Sequence, residues 1–299
     1  MKKILVLLML LLLALPLGGC GAETKEITVV ATFYPVYVLA ENVLDGVEGV
    51  TLASMTPPST GCLHDYQLLT ADMRTLSSAS ALILNGAGME DSFLPTIVSR
   101  FPDLALVNCA QGVALLAEGD GDDDGHDHGE YNAHIWLSPL NAIRMVENIR
   151  SAMAELLPGQ ADRINENAAQ YTRRLQDLDA ELTAAIAALP HKKIVTFHEA
   201  FPYFAQAYGL AVVAVVTSDP DTPLSSRMLS DVIAAVKEAG NPPLFYEPLY
   251  GDTAVRTVAR STGAPVYALD PLVTGDGALT AYEDVMRANL AVLQDALGQ

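Results

Sequence analysis

Residues 158–190, PGQADRINENAAQYTRRLQDLDAELTAAIAALP, decide the fold. Ile164, Ala168, Tyr171, Leu175, Leu178, Leu182, Ile186 and Leu189 recur at steps of three and four, the spacing of one helical face. Pro158-Gly159 stands before the run and Pro190 ends it. About 29 helical residues at 1.5 Å each span roughly 43 Å. That is more than a crossover helix in a small domain needs, so the segment reads as a rigid spine joining two lobes. Two helices broken near Gln176 are the alternative.

Both flanks of the spine alternate strand-like and helix-like runs. Before it, ITVVATF (27–33), GVTLASM (49–55), ALILNG (81–86) and ALVN (105–108) are apolar strand candidates. Helical patterns cover Tyr34 to Leu44 and 65–79, and another begins near Ser138. After it, KKIVTF (192–197), AVVAVV (211–216), PLFYE (243–247) and PVYAL (265–269) repeat the scheme, with helical stretches at 199–208, 225–239, 252–262 and 278–297. Strands that are apolar throughout, separated by helices, argue for parallel sheets covered on both faces. The expectation is an α/β protein of two lobes, each a parallel sheet flanked by helices, joined by one long backbone helix. No sequence repeat relates the halves; only the architecture recurs.

The chain has 299 residues, 51% of them hydrophobic, which supports a substantial core. Its first 19 residues, MKKILVLLMLLLLALPLGG, combine Lys2 and Lys3 with an apolar run from Ile4 to Leu17. That run reads as an export signal and is shorter than the ~20 residues of a membrane span; a retained anchor is the alternative. Gly18-Gly19-Cys20 resembles the lipobox of bacterial lipoproteins, which implies acylation at Cys20 and lipid anchoring on the outer face of the cell membrane, or a periplasmic location. The division expected is a leader over 1–19, a tether over 20–26 and a first lobe over 27–157. The linking helix over 158–190 and a second lobe over 191–299 complete it. Without the leader, 15 basic side chains face 36 acidic ones, a formal charge of −21. Such a surface repels nucleic acid and attracts cations.

Three histidines and one aspartate stand in comparable places. His64 lies in the loop after the second strand, His198 directly follows KKIVTF, Asp270 directly follows PVYAL, and His134 precedes the helix that begins near Ser138. Open parallel sheets bind ligands outside the carboxyl ends of their strands. Three neutral imidazoles and a carboxylate make a four-coordinate site suited to Zn²⁺. Each histidine alone is more often an ordinary structural residue; the shared placement favours a site.

The segments ATFYPVYVLAENV, CLHDYQLLTADMRTLSSASALILNGAGME, HIWLSP, VTFHEAFPYFAQAYGL and YEPLYGDTAVRTVARSTGAPVYALDPL resemble the zinc/manganese-binding receptors of bacterial ABC importers. They cover most of the chain in the family's order. The resemblance implies a metal site in the cleft between the lobes, with ligands at His64, His134, His198 and Asp270, capture of Zn²⁺ outside the cell membrane, and delivery to an ABC permease. Manganese-type members carry a carboxylate where this chain has His198, and imidazole suits Zn²⁺ better than Mn²⁺. Leu63 precedes His64 where the family has proline, and Asn132-Ala133 replaces its Asp-Pro. The acidic segment 118–130, with His126 and His128, resembles the family's His-rich loop. Its composition forms no core, and it reads as an accessory cation collector or as a solvated, mobile loop.

Glu199 and Glu247 are expected beside the metal or lining the cleft. With Cys20 lipidated, Cys62 and Cys109 remain: a disulfide, or free thiols, or a soft metal ligand in the case of Cys62. The last ranks lowest, because three imidazoles and an acid already fill a tetrahedron. A zinc hydrolase is the rival from another class, but residue 202 is proline where H-E-x-x-H needs its second histidine, so no enzyme is expected. A manganese or iron receptor is the nearer alternative. An adhesin role, suggested for some relatives, leaves no mark in the residues, and nothing demands more than a monomer.

Overall fold

A computed structural model describes residues 26–64, 66–117, 130–216 and 225–298. The expected leader, Cys20 and most of the tether lie outside these residues, as do His126 and His128.

The first sheet holds β1 (Ile27–Ala31), β2 (Val50–Ser54), β3 (Ala79–Leu84) and β4 (Ala105–Asn108) in the order β2-β1-β3-β4, all parallel. The second holds β5 (Lys193–Thr196), β6 (Ala211–Val215), β7 (Leu244–Tyr246) and β8 (Val266–Ala268) in the order β6-β5-β7-β8, again parallel. Both sheets therefore share one strand permutation, which is the repeated architecture the sequence suggested. In each, the chain departs from the first strand in both directions, and parallel sheets bind ligands at such switch points.

Helices connect the strands: α1 (Tyr34–Leu44), α2 (Thr70–Leu76), α3 (Leu94–Arg100) and α4 (Pro139–Leu156) in the first half. The spine α5 (Ala161–Ala187) follows, then α6 (Pro202–Tyr208), α7 (Ser226–Glu238), α8 (Thr253–Thr262) and α9 (Ala281–Leu297). The spine is one unbroken helix of 27 residues, roughly 40 Å long. It is shorter than the run 158–190, because Pro158–Gln160 forms a separate 3₁₀ turn ahead of it. Seven of the eight residues expected on its inner face are buried; Leu189, beyond its end, is half-buried. Asn167 joins them, donating from Nδ2 to the carbonyls of Val43 and Asp45 and so satisfying the C-terminal end of α1.

Two departures from the sequence pattern affect the short helices of the first half. The helix expected over 65–79 begins only at Thr70, because the Asp72 carboxylate accepts from Leu69 N–H and Tyr66 O–H and fixes the start of α2 there. Helix α3, with Pro95 in its first turn, has no counterpart in the sequence reading.

One large hydrophobic cluster runs from both faces of the first sheet through α4 and α5 into α6 and α9. The second sheet divides its faces. Ile194 and Phe245 point into the large cluster, whereas their neighbours Val195 and Leu244 point into a small cluster with Val236, Val255 and Val258. Successive residues of a strand face opposite sides, so the division follows from geometry.

Candidate metal centre

His134 enters the site on a short loop fixed at both ends. Asn132 Oδ1 accepts from the His134 backbone N–H at 3.0 Å and lies 3.3 Å from ring Nδ1. Asn132 Nδ2 donates to the Glu199 carbonyl at 2.8 Å, which sets the amide so that its oxygen faces the imidazole. Nδ1 thus carries the proton and Nε2 presents its lone pair. Two residues on, Trp136 Nε1 donates to the Pro271 carbonyl and the Trp136 carbonyl accepts from Tyr282 O–H. Both ends of the loop are therefore bonded to the second half of the chain, and His134 is fully buried.

His198 follows β5, and Glu247 follows the adjacent strand β7. Neighbouring strand ends bring them together: His198 Nδ1 donates to Glu247 Oε1 at 2.8 Å. A carboxylate on one ring nitrogen fixes the tautomer and makes the other nitrogen a better metal donor. The Glu247 side chain is buried, and among the described residues neither its Oε2 nor Glu199 Oε2 has a hydrogen-bond partner. Glu199 Oε1 lies 3.7 Å from His198 Nε2. Buried anionic oxygen facing imidazoles suits a cation.

The His134 and His198 ring centroids are 4.8 Å apart, and those of His64 and His134 are 5.1 Å apart. The three imidazoles named from the sequence thus stand side by side. Burial, reinforced by the facing His198 and His64, holds the His134 pKa well below its ordinary 6.5. A ring kept neutral is one ready to ligate. Among the described residues, Cys62, His134 and His198 form the group whose ligand atoms all lie within 4.8 Å of one another. His64 and Asp270 are outside it; Asp270 Oδ1 accepts from Leu272 N–H, and burial raises the Asp270 pKa.

Of the alternatives for Cys62 and Cys109, the disulfide is not made, since both are free thiols. Strands β2 and β4 lie at opposite edges of the first sheet. Three strand spacings, about 14 Å, separate those edges, whereas a disulfide needs Cα atoms within about 7 Å. The loop after β2 turns Cys62 towards His134, and Cys109 is buried just past β4, its carbonyl accepting from Asn148 Nδ2. The sequence reading also passed over Tyr250, whose Oη accepts from Cys62 N–H and whose ring packs edge-on to His198. Its only signal was the segment YEPLY around it.

Comparison with known proteins places this geometry. The family model described as zinc-uptake complex component A, periplasmic (ZnuA), matches residues 29–296. A zinc-binding protein AdcA of Streptococcus pyogenes serotype M6 is 30% identical over 296 residues, covering 91% of this chain and 56% of the relative. The high-affinity zinc uptake system protein ZnuA of Bacillus subtilis is 27% identical, covering 94% of this chain and 90% of the relative. A crystal structure of a ZnuA 138–173 deletion mutant with bound zinc superposes with a TM-score of 0.77 at 25% identity, covering 91% of this chain and 98% of that one. The chain spans just over half the length of the AdcA relative it matches. With two parallel sheets, a long helix between them and a match over nearly the whole described chain, the protein belongs to the ZnuA family of zinc-uptake complex components.

Proposed function

We propose that this chain is an extracytoplasmic receptor that captures Zn²⁺ and delivers it to an ABC permease in the membrane. One observation carries the reading: His134, just ahead of α4, and His198, just past β5, stand 4.8 Å apart with each Nδ1 held by an oxygen. His64, beside His134, is the third imidazole ligand, and Asp270, just past β8, is the carboxylate ligand. The bound ion bridges the lobes over 27–157 and 191–299, so occupancy favours one lobe arrangement and marks the loaded state for the permease.

The leader over 1–19 and acylation at Cys20, with anchoring by that lipid, belong to the same proposal, as does a monomeric state. No helix among the described residues is long and apolar enough to cross a membrane. Accessory cation collection by His126 and His128 is a further part of it. Hydrolase chemistry has no support: the family describes a component of uptake complexes, and Pro202 breaks the zinc-hydrolase motif.

Competition titration between Zn²⁺ and Mn²⁺, with elemental analysis of protein isolated without added metal, tests the reading. A single zinc per chain, not displaced by equimolar Mn²⁺, is expected. Preferential retention of manganese would reassign the cargo, and no bound metal would overturn the receptor reading.

A further inference from the structure

We propose that Cys62 is a direct ligand of the transported ion, its thiolate joining His134 and His198. The proposal rests on the metal-receptor reading and revises its ligand set: the thiolate takes the fourth position given there to Asp270, which lies outside the close group.

The geometry fits zinc. Ligands at 2.3 Å (sulfur) and about 2.05 Å (nitrogen) that subtend a tetrahedral angle lie about 3.6 Å apart. Cys62 Sγ is 3.5 Å from His134 Nε2, the ring nitrogen left open by Asn132. Sγ and Nε2 thus already stand at the separation that a shared zinc ion would set. On binding, the S–H bond breaks, its electron pair forms the sulfur–metal bond, and the proton leaves to water. Nε2 then donates to the same ion.

The thiol is held in place from the opposite half of the chain. Cys62 N–H donates to Tyr250 Oη at 3.3 Å. Gly61, immediately before it, has φ +86°, and a Cβ there would meet Leu249 Cδ2 at 2.7 Å and Tyr250 Oη at 3.2 Å. Only glycine suits both that backbone conformation and that closeness. The approach sets the path of the chain on which Sγ faces the two imidazoles. Cys109, the other thiol among the described residues, is buried beside β4 and takes no part in this group.

A thiolate has a consequence for selectivity. Thiolate favours zinc and other thiophilic ions, whereas manganese favours oxygen donors. A sulfur ligand therefore widens the preference for Zn²⁺ over Mn²⁺ beyond what imidazoles give.

Substitution with Co²⁺ reads this out directly. Wild-type protein loaded with Co²⁺ is expected to show a sulfur-to-cobalt charge-transfer band in the near ultraviolet together with visible d–d bands. Cys62→Ser should lose the charge-transfer band and keep the d–d bands, while Cys109→Ala keeps both. In parallel, Cys62→Ser should lower Zn²⁺ affinity about 10–100-fold and lower Mn²⁺ affinity far less. Cobalt bound with d–d bands but no charge-transfer band in wild type would overturn sulfur ligation and leave the receptor reading intact. An equal loss of Zn²⁺ and Mn²⁺ affinity in Cys62→Ser would also overturn it. Failure of the wild-type chain to bind either Co²⁺ or Zn²⁺ would remove both readings.

Discussion

The two sheets share one strand order but not one environment. The first has both faces inside the large hydrophobic cluster, and Val29, Val30, Ala31, Leu82 and Ile83 are wholly inaccessible. The second gives one face to that cluster and the other to a group of eight buried residues, while the edge strands of both sheets remain half-exposed or exposed along most of their length. The same topology thus yields a firmly seated half and a more lightly covered one. The candidate site draws on both: His134 from the first half, His198 and its partner Glu247 from the second. For the receptor proposed above that asymmetry matters, because elements with fewer buried contacts open at lower cost.

Core truncation is the most direct way to break the comparison. Leu82→Ala in β3 and Leu244→Ala in β7 remove the same atoms from sites of equal burial. Each should cost about 2–5 kcal/mol, with the cost rising as the surroundings collapse less well. Leu82 should fall near the top of that range and Leu244 near the bottom, measured by urea unfolding. Equal costs would show that the small cluster packs as firmly as the large one.

The imidazole supports from each half come next. Asn132→Ala and Glu247→Ala should each weaken Zn²⁺ binding about 10–100-fold. Glu247 should have the greater effect because its acceptor is ionised. Isothermal titration calorimetry resolves the two, and an unchanged affinity in either variant would remove that residue from the site.

A smaller effect lies in the pH dependence of the metal-free protein. Glu90 is buried among Thr32 O–H, Asn85 N–H and Gly86 N–H, and burial outweighs these donors, raising its pKa to about 7 from 4.5. Its contribution is fully present below pH 4.5 and is lost as pH rises through 7. His134 works in the opposite direction. Its folded pKa is depressed, so stability falls as pH drops below 6.5, where the unfolded ring takes up a proton. Thermal melts between pH 7.5 and 5 should therefore fall more steeply in Glu90→Gln than in wild type.

The smallest effects belong to surface ion pairs. Arg150–Glu147 in α4 and Arg256–Asp252 at α8 are exposed. Breaking either should change stability by about 0.5 kcal/mol or less, with no difference between the halves. A larger loss at one of them would reveal a coupling that burial does not show.

Much of the architecture was legible in the chain. Strand β4 and helix α1 fall on the expected residues, and the spine keeps its inner face nearly position by position. Helix α2 was overextended because the pattern over 65–79 is helical in hydrophobicity, while the Asp72 cap that starts the helix is a side-chain bond that periodicity does not register. Helix α3 is only seven residues long, too short for its period to stand out. At the site, strand-end placement identified three histidines that do stand together, but it could not separate Cys62 from Cys109.

The sequence by itself determined the α/β alternation, the spine and the histidines near strand ends, because those properties depend on residues three or four places apart or on where an apolar run stops. Only the tertiary structure decided that Cys62 faces His134 across 72 positions, is bonded to Tyr250 across 188, and never meets Cys109. Such encounters follow from how two sheets and their loops pack against one another, and no local period of the chain encodes which distant side chains that packing brings within a few ångströms.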